Sequence, residues 1–521
     1  MNRKPLILVA LLLAAFVINV DTTIVNVALP TLVDELHASN SQLQWIVDAF
    51  NLLFAASVLG FGSLSDRFGR KGMLLAGLAV FGLSSFAGGL TDSPGALIAA
   101  RAVMGIGAAM VFPSTLSLIT NVFTERKERA MAIGLWGATT GVAIALGPIV
   151  GGALLELSDW RSIFFAMVPV AALAGGLVAG WVPTSRDPGA PRLDRAGFAL
   201  STALLAVLIY TIIEAPSQGW GGLRTIGGFA VAAVLLAAFV AVERRAEEPM
   251  LDVTLFRNLR FTGASASVAI SFFALSGFVF LVTQYFQFLK AYGPLSTGIR
   301  LLPVAVSVAV SSVLGTRLAV RFGTKLVVAA GLFLTTGFYL WVTRISTGTG
   351  YGTIAAQMLV CGIGMGLTSA PATEAIMGVV PKAKASVGSA VNDATRLLGG
   401  TLGVALIGSV FASLYGSRLT GRLPAALPEG AIHAAHESPG AALGLAAQLG
   451  QAHPRLASAV HDATSSAFFS GFHAANYVAA GVSAVGIVVA LVFLPAHPTA
   501  DVDDEPPAEE MALAPASTTG S

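Results

Sequence analysis

Apolar residues in this chain fill whole windows rather than one face of a helix or every second position of a strand. Runs bounded by charged or Gly/Pro-rich breaks predict helices near 6–30, 43–64, 73–91, 95–120, 130–155, 162–183, 197–215, 224–243, 263–288, 296–318, 325–343, 352–379, 386–415 and 471–495. At 1.5 Å per residue these are fourteen segments of the length that crosses a hydrocarbon core of ~30 Å. Two stretches break the pattern. Residues 416–470, rich in Ala, Gly, Pro and His, are expected to form a long outer loop, and 496–521, with six acidic residues, a disordered tail.

Composition sharpens this picture. Of 521 residues, 55% are hydrophobic and 11% charged, and mean hydropathy is +0.78, which excludes a soluble protein. A net charge of +2 offers no field for nucleic acid. The single cysteine, Cys361, excludes an intrachain disulfide and a cysteine metal cage. The basic start and apolar stretch at 1–20 resemble a secretory signal, but no A-x-A-like site closes the run and further spans follow, so it reads as a retained first helix. If the N-terminus is cytoplasmic, inner segments hold twenty Lys and Arg residues and outer segments eight, which predicts both termini inside a cell membrane.

An internal repeat is present. Leu64-Ser-Asp-Arg-Phe-Gly-Arg-Lys71 recurs 254 residues later as Leu318-Ala-Val-Arg-Phe-Gly-Thr-Lys325, each in an inner loop. Two parallel six-helix halves with two inserted helices give that spacing. The expected organisation is a bundle over 1–183, inner linkers and a transmembrane hairpin over 184–262, and a second bundle over 263–495.

The segment Gly62-Ser-Leu-Ser-Asp-Arg-Phe-Gly-Arg-Lys71 matches G-x-L-x-D-R-x-G-R-K at every position and resembles the major facilitator superfamily. Gly62 and Gly69 suit close helix approach and a tight turn, Asp66 can cap a helix, and Arg67, Arg70 and Lys71 suit a cytoplasmic surface. Val20-Asp-Thr-Thr-Ile-Val-Asn-Val-Ala-Leu-Pro30, Trp45-Ile-Val-Asp48, Arg101-Ala-Val-Met-Gly-Ile-Gly107 and Gly147-Pro-Ile-Val-Gly-Gly152 are similar to motifs of its fourteen-span drug:proton antiporter family. Gln284-Tyr-Phe-Gln287 and Asn392-Asp-Ala-Thr-Arg-Leu-Leu-Gly-Gly400 are similar to its later motifs. Trp136 and Ala143 depart from the glycines often found in helix five, leaving the core Gly147, Pro148, Gly151 and Gly152. The resemblance implies an all-α major facilitator fold, two six-helix bundles plus an inserted hairpin, and a helix-five bend typical of exporters.

Buried charge points to the mechanism independently. Asp21 lies roughly 22 Å above the inner end of helix one, and Asp48 and Arg101 fall at the same level. Ionisable groups at that depth cost several kcal/mol unless paired or facing a water cavity, so the three are expected to meet one another or the cavity. They are proton-site candidates; the alternative is a static ion pair locking helices together. In the second half, Glu374, Asp393 and Arg396 form another set, the last two i,i+3 on one face, serving either coupling or a local salt bridge.

Candidates for a pocket between the halves are Asn26, Phe50, Asn51, Trp136, Phe273, Gln284, Tyr285 and Gln287. Trp45, Trp160, Trp220 and Trp341 are expected as interfacial anchors. The outer-loop histidines His433, His436, His453 and His461 lack metal-ligand spacing and read as solvated rather than pH-sensing. No G-x-x-x-x-G-K-[ST] occurs, so an ion gradient rather than ATP must drive uphill transport. The expectation is a proton-coupled exporter of amphipathic small molecules with the proton as coupling ion, no cofactor or metal, no enzymatic activity, and a monomer whose partners are bilayer and solute. A non-transporting sensor and a lipid translocator are the alternatives.

Overall fold

The computed structural model describes residues 4–186, 194–247, 249, 251, 253–379, 385–424, 427–450 and 452–494. The acidic tail, Arg3, Arg192, Lys382 and Lys384 lie outside them. The described residues form helices and no strand. The first group is α1 Lys4–Leu36, α2 Asn40–Phe68, α3 Arg70–Gly89, α4 Pro94–Val122, α5 Arg126–Leu157 and α6 Arg161–Trp181. A hairpin of α7 Arg195–Gln218 and α8 Leu223–Glu243 follows. The second group is α9 Leu259–Gln284, continued by a π turn Tyr285–Leu289, α10 Pro294–Arg300, α11 Leu302–Phe322, α12 Thr324–Val342, α13 Tyr351–Met377 and α14 Ala385–Thr420. After it come α15 Glu429–Glu437, α16 Pro439–Leu449 and α17 Pro454–Phe493. Among the described residues thirteen helices are long and apolar enough to span a membrane, α10 and α11 counting as one; α5 adds the shorter apolar stretch Ala145–Leu157.

Helix starts follow local chemistry. Ser39 and Gln42 form a capping box on α2, Ser93 and Pro94 start α4, and Asn258 caps α9. Between α2 and α3 the chain reverses at Gly69, φ +123°, whose N–H reaches Ser65 O at 3.0 Å. Gly323, φ +89°, does the same between α11 and α12 toward Ala319 O at 2.9 Å. Both residues of this second pair stand 254 positions after the first, and only glycine enters that φ range without strain.

Packing repeats the same relation. α2, α4, α3 and α6 form a chain of contacts, with α1 against α5; α11, α13, α12 and α17 form the equivalent chain, with α9 against α14. The fold is therefore a pair of six-helix bundles related by an approximate twofold. α7 lies on the seam between α2 and α14, where Ile209, Ile212 and Ile213 cover Leu52 and Ala405, and α8 packs on α7 outside it. The hairpin stays out of the central space.

The segment 416–470 departs from expectation. It is largely helical, and the last long helix starts at Pro454 rather than 471. Hydropathy detects membrane spans, whereas Ala-rich sequence with Pro at the first helical position forms helix regardless of polarity.

The bundles meet near one end, that of Ser39. Gln44 of α2 donates to Ala405 O and Val404 O of α14 at 3.0 and 3.3 Å, and Gln287 donates to Val27 O at 2.8 Å. On α5, Gly147 and Gly151 abut α1, Gly152 abuts Leu295, and Gly298 of α10 receives the Pro148 carbonyl; a Cβ at any of these would collide. α16 covers this end, with Gly440 against both Phe288 and Val33. Toward the Gly69 end, no hydrogen bond or ion pair between described residues joins the two bundles. Gly298→Leu should cost this closure about 1–3 kcal/mol through overpacking. Spin-label distances between the Ser39-end tips of α5 and α10 should lengthen; unchanged distances would show that the contact does not hold the bundles together.

Candidate functional site

Polar residues interrupt the apolar run of α1 at Asn19, Asp21, Thr22, Thr23 and Asn26. Several turn back on their own helix: Asn19 Nδ2 donates to Ala15 O at 2.8 Å and Thr22 Oγ1 to Asn19 O at 2.7 Å. Asp21 does not. Its Oδ2 accepts from Arg101 Nη1 of α4, and the side chains are 0% and 1% exposed. Arg101 is held twice more, by its Nε donating to Ile46 O at 3.0 Å and by its guanidinium lying 4.4 Å from the Phe50 ring centre. Gly105, one turn further along α4, accommodates the Phe50 carbonyl and so permits this approach. Asp21 Oδ1 is buried with no hydrogen-bond partner among the described residues.

Asp48 does not join this pair. It shares a face of α2 with Gln44 and Leu52, which address α14 and α7, and both its oxygens are buried without a partner among the described residues. Equal depth along the helices allows Asp48 to meet Arg101 or to face elsewhere, and its position around α2 directs it to the other seam. The first bundle thus holds one paired carboxyl and one solitary carboxyl.

In the second bundle, Asp393 and Arg396 approach at 3.7 Å, with Arg396 4.5 Å from the Phe272 ring centre and 32% exposed. Asn392 accepts from Thr373 at 3.1 Å, and Glu374 is exposed. These groups lie near the Gly69 end, where the bundles are apart.

Pocket candidates divide. Phe50 is the floor beneath Arg101, and Tyr285 is buried among Phe286, Phe469 and Phe472 with its hydroxyl donating to Ser346 O at 2.9 Å. Both are buried in packing in this structure, and consecutive helical positions diverge by about 100°, so Gln284 and Tyr285 point in different directions. Gln284 is buried with an unpartnered Oε1, Asn26 and Phe273 are buried, and Asn51, Trp136 and Gln287 are partly exposed. Trp136 donates to Thr115 Oγ1 at 3.1 Å. Trp160 is fully buried against Phe164, not an interfacial anchor, whereas Trp220 and Trp341 are exposed.

The Gly62–Lys71 motif fastens a turn. Asp66 accepts from Arg70 Nε at 2.6 Å instead of capping α3, because Arg70 one turn later reaches its carboxylate first. Arg70 N bonds Ser185 O at 3.0 Å and Lys71 Nζ bonds Ala179 O at 2.8 Å, tying the turn to the end of α6. Arg67 lies over Phe68, and Gly62 has room for a Cβ against Pro113, so close approach is not its requirement. The histidines remain dispersed; burial and neighbouring His433 push His436 down. No cluster of three or more potential metal ligands occurs among the described residues. Sequence reasoning missed Gln44, Gly298 and Gly408. Gly399 and Gly403, spaced GxxxG, do carry a legible signal: they let α14 touch the α9 backbone at Ala269 and Phe273.

The model of the Major Facilitator Superfamily matches residues 11–404. The chain belongs to that superfamily. A member of it is a transporter rather than an enzyme. The chain is 37% identical over 79% of its length to the multidrug resistance protein Stp of Mycobacterium tuberculosis, covering 77% of that protein. It is 32% identical to the tetracenomycin C resistance and export protein of Streptomyces glaucescens, over 98% of this chain and 95% of that one. To the multidrug efflux pump LfrA of Mycolicibacterium smegmatis it is 34% identical, over 94% and 97%. Among solved structures, a bacterial homologue of the human lysosomal transporter Spinster, inward-facing and occupied, aligns at TM-score 0.65 and 19% identity, over 95% and 98%, and shares the fold.

Removing Arg101 strands Asp21. Arg101→Ala should lower unfolding stability by about 3–5 kcal/mol, and Asp21→Asn by less, since an amide tolerates the site uncharged. Denaturant unfolding in detergent measures both; an Arg101→Ala protein as stable as the parent would show that the pair carries no structural weight.

Proposed function

We propose that this major facilitator chain is a proton-coupled exporter of amphipathic small molecules, of drug or secondary-metabolite type, acting as an antiporter in the plasma membrane. Relatives named for multidrug efflux and antibiotic export, similar over most of the chain, support the substrate class. The Asp21–Arg101 pair is the observation that carries the coupling. A proton on Asp21 turns an ion pair into a neutral carboxyl, while Arg101 keeps its Ile46 and Phe50 contacts. Protonation therefore loosens α1 from α4 without freeing a bare guanidinium. Because α1 is also packed on Gly147 and Gly151 of α5, whose other face closes on α10, that change reaches the contact between bundles.

On this reading both termini lie inside, the closed Ser39 end faces outward, and the opposite end is the one that opens to the cytoplasm. Solute enters from the cytoplasm and meets Asn26, Asn51, Trp136, Phe273, Gln284 and Gln287. Asp48 is a second proton site on the α2–α14 seam, and Asp393, Arg396 and Glu374 line the inner approach. One proton moving through 150 mV supplies about 3.5 kcal/mol, a gradient of a few hundred-fold for a neutral solute. The chain works as a monomer without cofactor.

Proteoliposomes with an imposed pH gradient and a panel of amphipathic compounds test this. Uphill, gradient-dependent movement is expected; none would indicate a sensor, and movement of phospholipid alone a lipid translocator. Asp21→Asn should abolish uphill export and keep downhill exchange. If the pair were only a clamp, Asp21→Asn with Arg101→Ala would restore coupled transport.

A further inference from the structure

The inserted hairpin borders an open crevice away from the contact between the bundles. Between α2, α7 and α8 lies a crevice of about 710 Å³ lined by Trp45, Ala206, Val207, Tyr210, Thr211, Gln218, Arg224, Gly228 and Val231. Its chemistry is graded. At the mouth, beside the α7–α8 turn, stand Gln218, the last residue of α7, and Arg224, the second of α8. Arg224 is exposed, and no acceptor among the described residues pairs with it. It also sits at the start of α8, where orphan N–H groups and the helix dipole add positive potential. Trp45 and Tyr210 stand with ring centres 6.4 Å apart. Below them the walls are apolar, Ala206, Val207 and Val231, and Gly228 against Thr211 brings the two hairpin helices together behind the crevice.

Depth decides what fits. Ala206 is twelve residues from Gln218, or about 18 Å down α7, against ~15 Å for half a hydrocarbon core. A cation at the headgroup level, an aromatic pair beneath it and an apolar slot one leaflet deep match an amphiphile with a phosphate and an acyl chain. A small soluble anion would leave the slot empty, and a neutral apolar solute would leave Arg224 without a partner. We propose that this crevice is a phospholipid site, the lipid phosphate on Arg224 and Gln218 and one acyl chain between Trp45 and Val231. The lipid would belong to the leaflet at the Ser39 end. It would wedge the hairpin onto the α2–α14 seam that Ile209, Ile212 and Ile213 cover. This inference needs the membrane placement alone and stands whether or not the chain exports.

The full chain, delipidated in detergent and titrated with a palmitoyl-oleoyl phosphatidylglycerol, should retain one lipid by native mass spectrometry. Arg224→Gln, an exposed and foldable change, should weaken it by about tenfold, the value of one charge-assisted hydrogen bond. Phosphatidylglycerol brominated high on its acyl chain should quench Trp45, read as the difference between the parent and Trp45→Phe. Equal lipid retention in Arg224→Gln, or no Trp45-dependent quenching, overturns the site. So does diacylglycerol binding as tightly, which makes it a chain-only slot. Displacement by glycerophosphate alone makes it an anion site, and displacement by an exported compound at the same affinity makes it a solute site.

Discussion

A guanidinium inside a membrane bundle is among the costliest groups a helix can carry, and Arg101 is 1% exposed. Three contacts make it tolerable: the Asp21 carboxylate on α1, the Ile46 carbonyl on α2 and the Phe50 ring on α2. Those contacts require α1, α2 and α4 to lie close at one level. Asp21 in the apolar run of α1 and the glycine at 105, which accommodates the Phe50 carbonyl, meet that requirement. The packing of the first bundle is arranged around one ion pair, and the pair is the only one of the bundle's buried charges with a counter-charge among the described residues.

The second bundle repeats the architecture without repeating the charge. Its helices contact one another in the same pattern, and its α11–α12 turn copies the positive φ of the α2–α3 turn, yet the Asp393–Arg396 pair lies on a single helix and is partly solvated. Charge is therefore placed asymmetrically: among the described residues, side-chain ion pairs join separate helices in the first bundle, Asp21 with Arg101 and Lys4 with Glu128. The first bundle meets the second through the small-residue interleaving of α1, α5 and α10, in which Gly147 and Gly151 take up Thr23 and Ile24 of α1, Gly152 the backbone at Leu295, and Gly298 the Pro148 carbonyl.

Much of this was legible in the sequence because hydropathy, the repeated Arg-Phe-Gly turn and buried charges are one-dimensional signals. Depth along a helix follows from counting residues, so Asp21 and Arg101 were placed at one level. Rotation about a helix does not follow from depth, so counting residues leaves open which way Asp48, Phe50 and Tyr285 face. Asp48 addresses the α2–α14 seam, and Tyr285 a wall of aromatic packing. The helical character of 416–470 was hidden for a different reason: polar and apolar residues mix there, and Ala-rich propensity leaves no hydropathy trace. Gly298 was invisible because its role depends on the Pro148 carbonyl of a helix about 150 residues earlier.

The central claim is that Asp21 changes protonation when solute binds. Addition of a transported compound to purified protein in weakly buffered detergent, followed with a pH-sensitive dye, measures it directly. The account predicts proton release on binding by the parent protein, retained in Asp393→Asn and lost in Asp21→Asn while the compound still binds. Undiminished proton release by Asp21→Asn would contradict it.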